Sequence, residues 1–316
     1  MPGLNLHHAF ILVGPTAAGK TAVAQRLAEC RQADILSADS MLVYRGMDIG
    51  TAKPSLAERK GIRYWGVDVA EPSQAFNVAC YLEEARRCFE ASEKTGRPVI
   101  VVGGTGLYIR ALLEGIDQLP AIPAGSRARW QAVFDQDGVA GLQSALKSRN
   151  PLWLSGMADP ANSRRLIRAL ELVEAGCAGP PASWAAGKPA AVIAGLDVDP
   201  DALRSRIECR VRTMYEEGLL NEVQALLDGV WDPSGTAAQA IGYAEAIACL
   251  KGTLTQEAAM EETSRRTRQL AKRQRTWFRH QLNLSWVPVA DGLSLDEIAG
   301  QVSSVWDQTG PQCVAV

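Results

Sequence analysis

The sequence lacks a long apolar run. Crossing a bilayer takes roughly 20 consecutive apolar residues, and nothing in the 316 residues approaches that; residues 10–13 are too short even for the core of a signal peptide. A membrane span is excluded, and the cytoplasm is the expected location. Charge of one sign is lacking too: 33 Lys and Arg stand against 35 Asp and Glu, a formal net charge of −2. Global attraction to nucleic acid or anionic lipid is therefore excluded, and any such affinity has to come from a local patch. Histidine is scarce at three, and the seven cysteines (Cys30, Cys80, Cys88, Cys177, Cys209, Cys249, Cys313) are scattered, odd in number and without a CxxC pair. That pattern excludes a disulfide scaffold, offers no metal-ligand spacing and reads as reduced structural thiols. No internal repeat is present. The rest is ordinary: 47% hydrophobic residues, 22% charged and 28 Gly belong to a folded globular protein. At about 150 residues per domain, the length suits one large domain or two smaller ones.

Directly after Phe10, Ile11, Leu12 and Val13 stands Gly14-Pro15-Thr16-Ala17-Ala18-Gly19-Lys20-Thr21, followed by the helix-forming residues 22–30. This is GxxxxGKT between a strand and a helix. Its glycines let successive backbone N–H groups turn inward on a phosphate, and the helix start adds partial positive charge. Lys20 supplies an ammonium, and the Thr21 hydroxyl suits a Mg²⁺ ion bridging two phosphoryl groups. Such a loop recognises linked phosphates and a metal, which does not by itself mean ATP; a kinase, a nucleotide switch and a prenyl transferase present the same front end.

Residues 33–38 read as a second strand that delivers Asp39, Ser40, Met41 and Leu42 at its carboxyl end, and residues 99–102 read as a buried parallel strand ending in Gly103-Gly104-Thr105-Gly106. Residues 77–93 form the crossover helix between them. In open α/β sheets the carboxyl edge holds the ligand, so Thr16, Lys20, Asp39 and Thr105 are expected around one pocket. Asp39 stays open between a metal-shell carboxylate, a general base and the cap of the next turn. Residues 46–54 are turn-rich, with no chemistry legible from composition. On a helix predicted over 200–217, Arg206 and Arg210 share a face. They either clamp phosphate from the side opposite Lys20 or lie in solvent against Glu208 or Glu216.

Residues 265–279 carry seven basic side chains (Arg265, Arg266, Arg268, Lys272, Arg273, Arg275, Arg279) and no acid. Helical spacing puts Arg265, Arg268, Lys272, Arg275 and Arg279 in one stripe, able to track a phosphate backbone. Trp277 and Phe278 beside it either pack on the core or stack on an unpaired base. Residues 122–195 read as a helical insertion, with patterns at 126–134, 138–148 and 164–175 and a Gly/Ala/Pro-rich connector at 177–189 leading to a strand at 191–198. The fold class is α/β: a P-loop NTPase-like parallel-sheet core, residues 1–121 and 196–316, carrying that mostly helical insertion.

Beyond the phosphate loop, six further blocks stand in one order along the chain: Asp39-Ser40-Met41-Leu42-Val43-Tyr44, Asp48-Ile49-Gly50-Thr51-Ala52-Lys53-Pro54, Gly103-Gly104-Thr105-Gly106-Leu107-Tyr108, Arg168-Ala169-Leu170-Glu171, Ile241-Gly242-Tyr243, and residues 267–278. Together with the loop they resemble the tRNA dimethylallyltransferases, in their compact form without a zinc finger. Two departures are Tyr64, where that family often has His before the Asp of Asp68, and Asn162, where it often has Asp.

The resemblance implies transfer of a dimethylallyl group from dimethylallyl diphosphate to N6 of the adenosine beside the anticodon of tRNA. It implies that Gly14, Pro15, Thr16, Ala17, Ala18, Gly19, Lys20, Thr21 and Arg210 hold the diphosphate, with Mg²⁺ on Thr21. Asp39, Thr16, Lys20 and Arg206 are its expected catalytic residues, Asp39 being either the general base or the group that positions N6 by accepting its hydrogen bond. The anticodon loop is expected on Asp39, Ser40, Met41, Leu42, Thr105, Arg127, Arg164, Arg165, Leu166, Ile167 and Arg168. Further contacts are expected at Gln239, Ala240, Ile241, Gly242, Tyr243, Ala244, Lys272, Arg273, Gln274, Arg275, Thr276, Trp277, Phe278 and Arg279. A monomer is expected. The rivals are a small-molecule kinase and a nucleotide-dependent RNA-binding protein.

Overall fold

The computed structural model describes residues 6–117, 119–157, 159–180, 187–229, 231–232 and 235–316. Chain contacts divide it into two compact units, residues 1–115 with 187–316 and residues 116–186.

The larger unit is built on one sheet. In chain order its elements are β1 (Leu6–Val13), α1 (Lys20–Arg31), β2 (Asp34–Ala38), α2 (Leu56–Arg59), β3 (Tyr64–Trp65), α3 (Val78–Thr95), β4 (Val99–Gly103) and α4 (Gly106–Glu114). The order across the sheet is β3-β2-β4-β1-β5-β6, every neighbouring pair parallel, with β5 (Val192–Val198) and β6 (Asn283–Val289) returning after the second unit. Strand β7 (Gln312–Ala315) runs antiparallel along the amino-terminal half of β1.

Apolar residues run almost continuously along β1, β2 and β4, with successive side chains turned to opposite faces, because both faces of a parallel sheet are buried. Leu12, Ile35, Ile100 and Val102 face one layer with Val23 and Leu27 of α1. The same layer includes Ile207 of α8 (Pro200–Glu216) and Trp306 of α12 (Leu295–Thr309). Ile11, Val13, Leu36 and Val101 face the other, with Tyr81 and Phe89 of α3 and Ile109 of α4. Between α8 and β6 lie α9 (Leu219–Asp228), α10 (Tyr243–Leu250) and the 26-residue α11 (Gln256–Gln281). Ala271 of α11 belongs to the first layer and Phe278 to the second, so the turn between them crosses the edge of the sheet.

The smaller unit is helical: α5 (Ser126–Arg149), bent at Gly138, α6 (Pro151–Ser155) and α7 (Ser163–Glu174) close around Trp130, Leu142, Leu146, Trp153, Leu166 and Leu170. Asn162, one of the two departures, caps α7 by accepting the Arg165 N–H. The insertion is thus residues 116–186 and not 122–195: β5 pairs with β1 and β6 from the sheet's interior, which places residues 192–195 in the core unit. Part of the expected 177–189 connector, residues 181–186, lies outside the described residues.

The carboxyl ends of β2 and β4 lie close together at Gly103. A β-carbon there would lie 2.1 Å from the Ala38 carbonyl oxygen. Gly103→Ala is expected to cost about 3 kcal/mol, the upper range for overpacking, as a lower urea midpoint at unchanged slope; an unmoved midpoint would show that the two strand ends separate freely.

Candidate active site

Between β1 and α1 the chain makes a tight loop. Gly19 takes the left-handed conformation, φ 86°, and so does Ala17 at φ 63°, where a Cβ costs about 1–2 kcal/mol. Strain of this kind persists where the surroundings impose it, and it gathers at ligand loops. No side chain caps the start of α1. The first N–H groups of a helix have no acceptor inside it, so this bare end, with its partial positive charge, is able to seat an anion. The Lys20 ammonium folds back to donate to the Pro15 carbonyl at 2.8 Å.

Burial brings that ammonium down to about 8; Arg210 pushes the same way and Asp39 opposes it. Arg210 is also held below the usual arginine range, first by burial, with Asp39 opposing. Its Nη2 donates to the Thr51 carbonyl at 3.1 Å. Lys20, Arg210 and Asp39 therefore share one electrostatic neighbourhood. The solvated-face reading fails for Arg210, which burial and the Thr51 carbonyl hold at the cavity, while Glu208 pairs with Arg268 at 3.2 Å. Arg206, one turn earlier, lies 3.7 Å from the exposed Asp291. Lys20, Thr21, Asp48, Lys53, Arg206 and Arg210 line one cavity of about 1680 Å³.

Asp39 performs the local turn role: its Oδ1 accepts the Met41 N–H at 2.9 Å. The Ser40 N–H donates to Thr105 Oγ1 at 3.1 Å, and the Thr16 N–H donates to Gln274, which also reaches Gly104. The three strand ends thus meet at one edge, but of Thr16, Lys20, Asp39 and Thr105, expected around one pocket, only Lys20 lines the cavity. No cluster of three His, Cys, Asp or Glu able to hold a metal occurs among the described residues. The exposed Thr21 lines the cavity and offers a hydroxyl oxygen, a donor of the kind Mg²⁺ takes while keeping substrate oxygens and water as its other ligands.

Residues 46–54, unreadable by composition, form a wall of this cavity. Lys53 is 3% exposed and donates to Asp48, Asp68 and the Tyr44 carbonyl, each at 2.6 Å. Glu222 accepts the N–H groups of Asp48, Ile49 and Gly50 at 2.9, 2.7 and 3.2 Å and the Tyr243 hydroxyl at 2.6 Å. Neither Lys53 nor Glu222 was singled out from sequence. The signal available was an isolated lysine flanked at a distance by Asp48 and Asp68.

Several expected RNA contacts are corrected by these packings. Tyr243 is fully buried beneath Gly50 and bonded to Glu222, Ala240 and Phe278 are core residues, and Gly242 caps α10 in a left-handed turn. Leu166 and Ile167 fill the core of the helical unit. None of these five side chains is available to RNA. Gln239 and Ala244 are exposed, and Ile241 and Leu42 are half-buried.

The basic stripe is mostly spent on carboxylates. Arg265 pairs with Glu262, Arg266 with the buried Glu245, and Arg268 with Glu208; Arg275 and Arg279 both pair with Asp197, at 2.8 and 3.7 Å. Among the described residues only Lys272 and Arg273 of the seven make no ion pair, and both are exposed, as is Thr276. In the helical unit Arg164 and Arg165 are exposed, while Arg127 and Arg168 converge on the buried carboxylate of Glu171 at 3.5 and 3.2 Å.

The family model described as IPP transferase matches residues 42–281, and a second, described as isopentenyl transferase, matches residues 7–69. The chain is 40% identical over 285 residues to the tRNA dimethylallyltransferase of Rhodococcus jostii, covering 89% of this chain and 91% of that protein. It is 39% identical over 281 residues to tRNA dimethylallyltransferase 2 of Syntrophus aciditrophicus, covering 87% and 90%. The crystal structure of the full-length tRNA isopentenylpyrophosphate transferase from Bacillus halodurans superposes with TM-score 0.69 at 34% identity, over 96% of this chain and 98% of that one. A eukaryotic dimethylallyltransferase acting on tRNA shares the fold at 23% identity and TM-score 0.70, over 96% and 76%. The chain belongs to the IPP transferase family.

A bound diphosphate favours the charged form of Lys20 and raises its pKa, so above pH 8 binding must take up a proton. Diphosphate affinity is therefore expected to hold below pH 8 and fall by up to about tenfold per pH unit above it, with Lys20→Met flattening the profile. Calorimetry in buffers of different ionisation enthalpy reads the proton directly; no uptake at pH 9 would remove Lys20 from the anion seat.

Proposed function

We propose that the protein transfers the dimethylallyl group of dimethylallyl diphosphate to N6 of the adenosine beside the anticodon of tRNA, in the cytoplasm, releasing diphosphate. The observation that carries the reading is a cavity lined by Lys20 and Arg210 at a bare helix start, with the carboxylate of Asp39 close enough to favour the charged form of both. Membership of a family whose relatives are tRNA dimethylallyltransferases supports the donor and the acceptor.

Breaking the allylic carbon–oxygen bond leaves the electron pair on the diphosphate, so stabilising that charge is the main task. The N–H groups at the start of α1, the Lys20 ammonium and Arg210 receive it, with Arg206 across the same cavity. A Mg²⁺ held at the Thr21 hydroxyl supplies further neutralisation of the leaving group when bound. N6 of adenine is a weak nucleophile until bonding to carbon begins; its proton then becomes acidic and a plain carboxylate removes it. Asp39 sits at the strand end with Oδ1 already fixed by Met41. An unpaired anticodon loop lets the base leave its stack at low cost. Of the basic residues expected to meet the RNA, Lys272, Arg273, Arg164 and Arg165 are exposed and make no ion pair among the described residues, which leaves them to meet phosphates.

Two experiments test this reading. Purified protein with Mg²⁺, unmodified tRNA and labelled dimethylallyl diphosphate is expected to label the RNA. Asp39→Asn should slow that transfer by about 10²- to 10⁴-fold; phosphoryl transfer from ATP in the control arm would instead mark a kinase. Lys272→Ala and Arg273→Ala should each lower the salt slope of tRNA binding by about 0.7 to 0.9, whereas Arg275→Ala should leave it unchanged and lower thermal stability. A slope that drops only with Arg275 would invert the assignment.

A further inference from the structure

Gln274 is the one side chain of α11 that touches the phosphate loop through a hydrogen bond among the described residues. Its Oε1 accepts the Thr16 N–H at 2.8 Å, and its Nε2 donates to the Gly104 carbonyl at 3.0 Å. The loops after β1 and after β4 are thus tied to each other by a single amide. The geometry uses both halves of that amide. A carboxylate in its place would meet the Gly104 carbonyl as a second acceptor, and an aliphatic chain would leave the Thr16 N–H and the carbonyl unpaired.

The Gly104 turn is shaped to admit this bridge. A β-carbon at Gly104 would lie 2.4 Å from Gln274 Nε2, and one at Gly106 would lie 2.2 Å from the Trp277 ring. Room has therefore been left on one segment for two side chains of the other. The same turn of α11 carries Lys272 and Arg273, its two exposed and unpaired cations.

We propose that Gln274 is a positioning residue: it sets the phosphate loop at Thr16 against the Gly104 turn, and so transmits RNA engagement of α11 to the diphosphate seat. The inference deepens the proposed function and rests on it for the identity of the two ligands. The mechanism is a shared constraint. RNA phosphates on Lys272 and Arg273 fix the helical turn that holds Gln274, and Gln274 fixes the loop whose N–H groups receive the leaving group. Coupling of this kind is reciprocal, so each ligand raises the affinity of the other by the same factor.

The test uses the full chain as wild type, Gln274→Met and Gln274→Glu. Methionine keeps the length and removes both hydrogen bonds; glutamate keeps one acceptor and loses the donor. Inorganic diphosphate with Mg²⁺ is titrated by calorimetry with and without saturating tRNA, and kcat and KM are measured for both substrates. Both variants are expected to bind diphosphate about tenfold more weakly, the worth of one or two hydrogen bonds. Both should lose kcat, keep tRNA affinity within about twofold, and abolish the tRNA-induced gain in diphosphate affinity seen in the wild type. Circular dichroism melts guard against a folding defect, and a variant that melts early is replaced by Gln274→Leu. Two outcomes overturn the proposal: Gln274→Met with wild-type diphosphate affinity and kcat, or a loss confined to tRNA affinity, which would make Gln274 an RNA contact alone. Should the wild type transfer no dimethylallyl group, the proposed function falls, and the diphosphate affinities of the variants still decide whether the bridge shapes the loop.

Discussion

A helix that begins without a cap governs this molecule. The backbone N–H groups at Lys20 and Thr21 meet no side chain, and the loop before them holds Ala17 in a conformation it would not choose. Both costs are met by the sheet beneath, whose parallel strands β1, β2 and β4 end side by side in register, Val13 against Gly103 and Gly103 against Ala38. Everything placed around the anion seat hangs from those three ends.

Electrostatics adds a second layer to the same constraint. Lys20 and Arg210 are partly withdrawn from water, and each is disfavoured in its charged form by that withdrawal. Asp39 is the carboxylate that offsets this for both. The pocket therefore holds positive charge that is poorly solvated in advance, which a polyanion relieves more than bulk water does. The surrounding wall is rigid for a different reason. Lys53 with Asp48 and Asp68, and Glu222 with three consecutive N–H groups and Tyr243, lock a segment that has no regular secondary structure.

How much of this could be read from residue order alone depends on the range of the interaction. The phosphate loop, the strands around Ile35 and Val101, and the helix bearing Arg206 and Arg210 were legible because periodicity and a local motif specify them. The two-residue β3, and β6 with its half-exposed Trp286, carried too weak a pattern. Charge on α11 misled, since the acids that neutralise Arg266, Arg268, Arg275 and Arg279 are Glu245, Glu208 and Asp197, all remote in the chain. Tyr243 misled for the same reason: Glu222 and Gly50, which claim it, lie 21 and more residues away. A family block marks that a residue matters; only the packing says whether it faces a ligand or holds the wall.

The close approach of α11 to the turn after β4 has an evolutionary consequence. Gly104 faces Gln274 and Gly106 faces the Trp277 ring, with no space for a methyl group at either. A larger residue on one segment is tolerable only if its opposite number shrinks in the same lineage. The two stretches should therefore drift as matched pairs, one half of each invisible without the other.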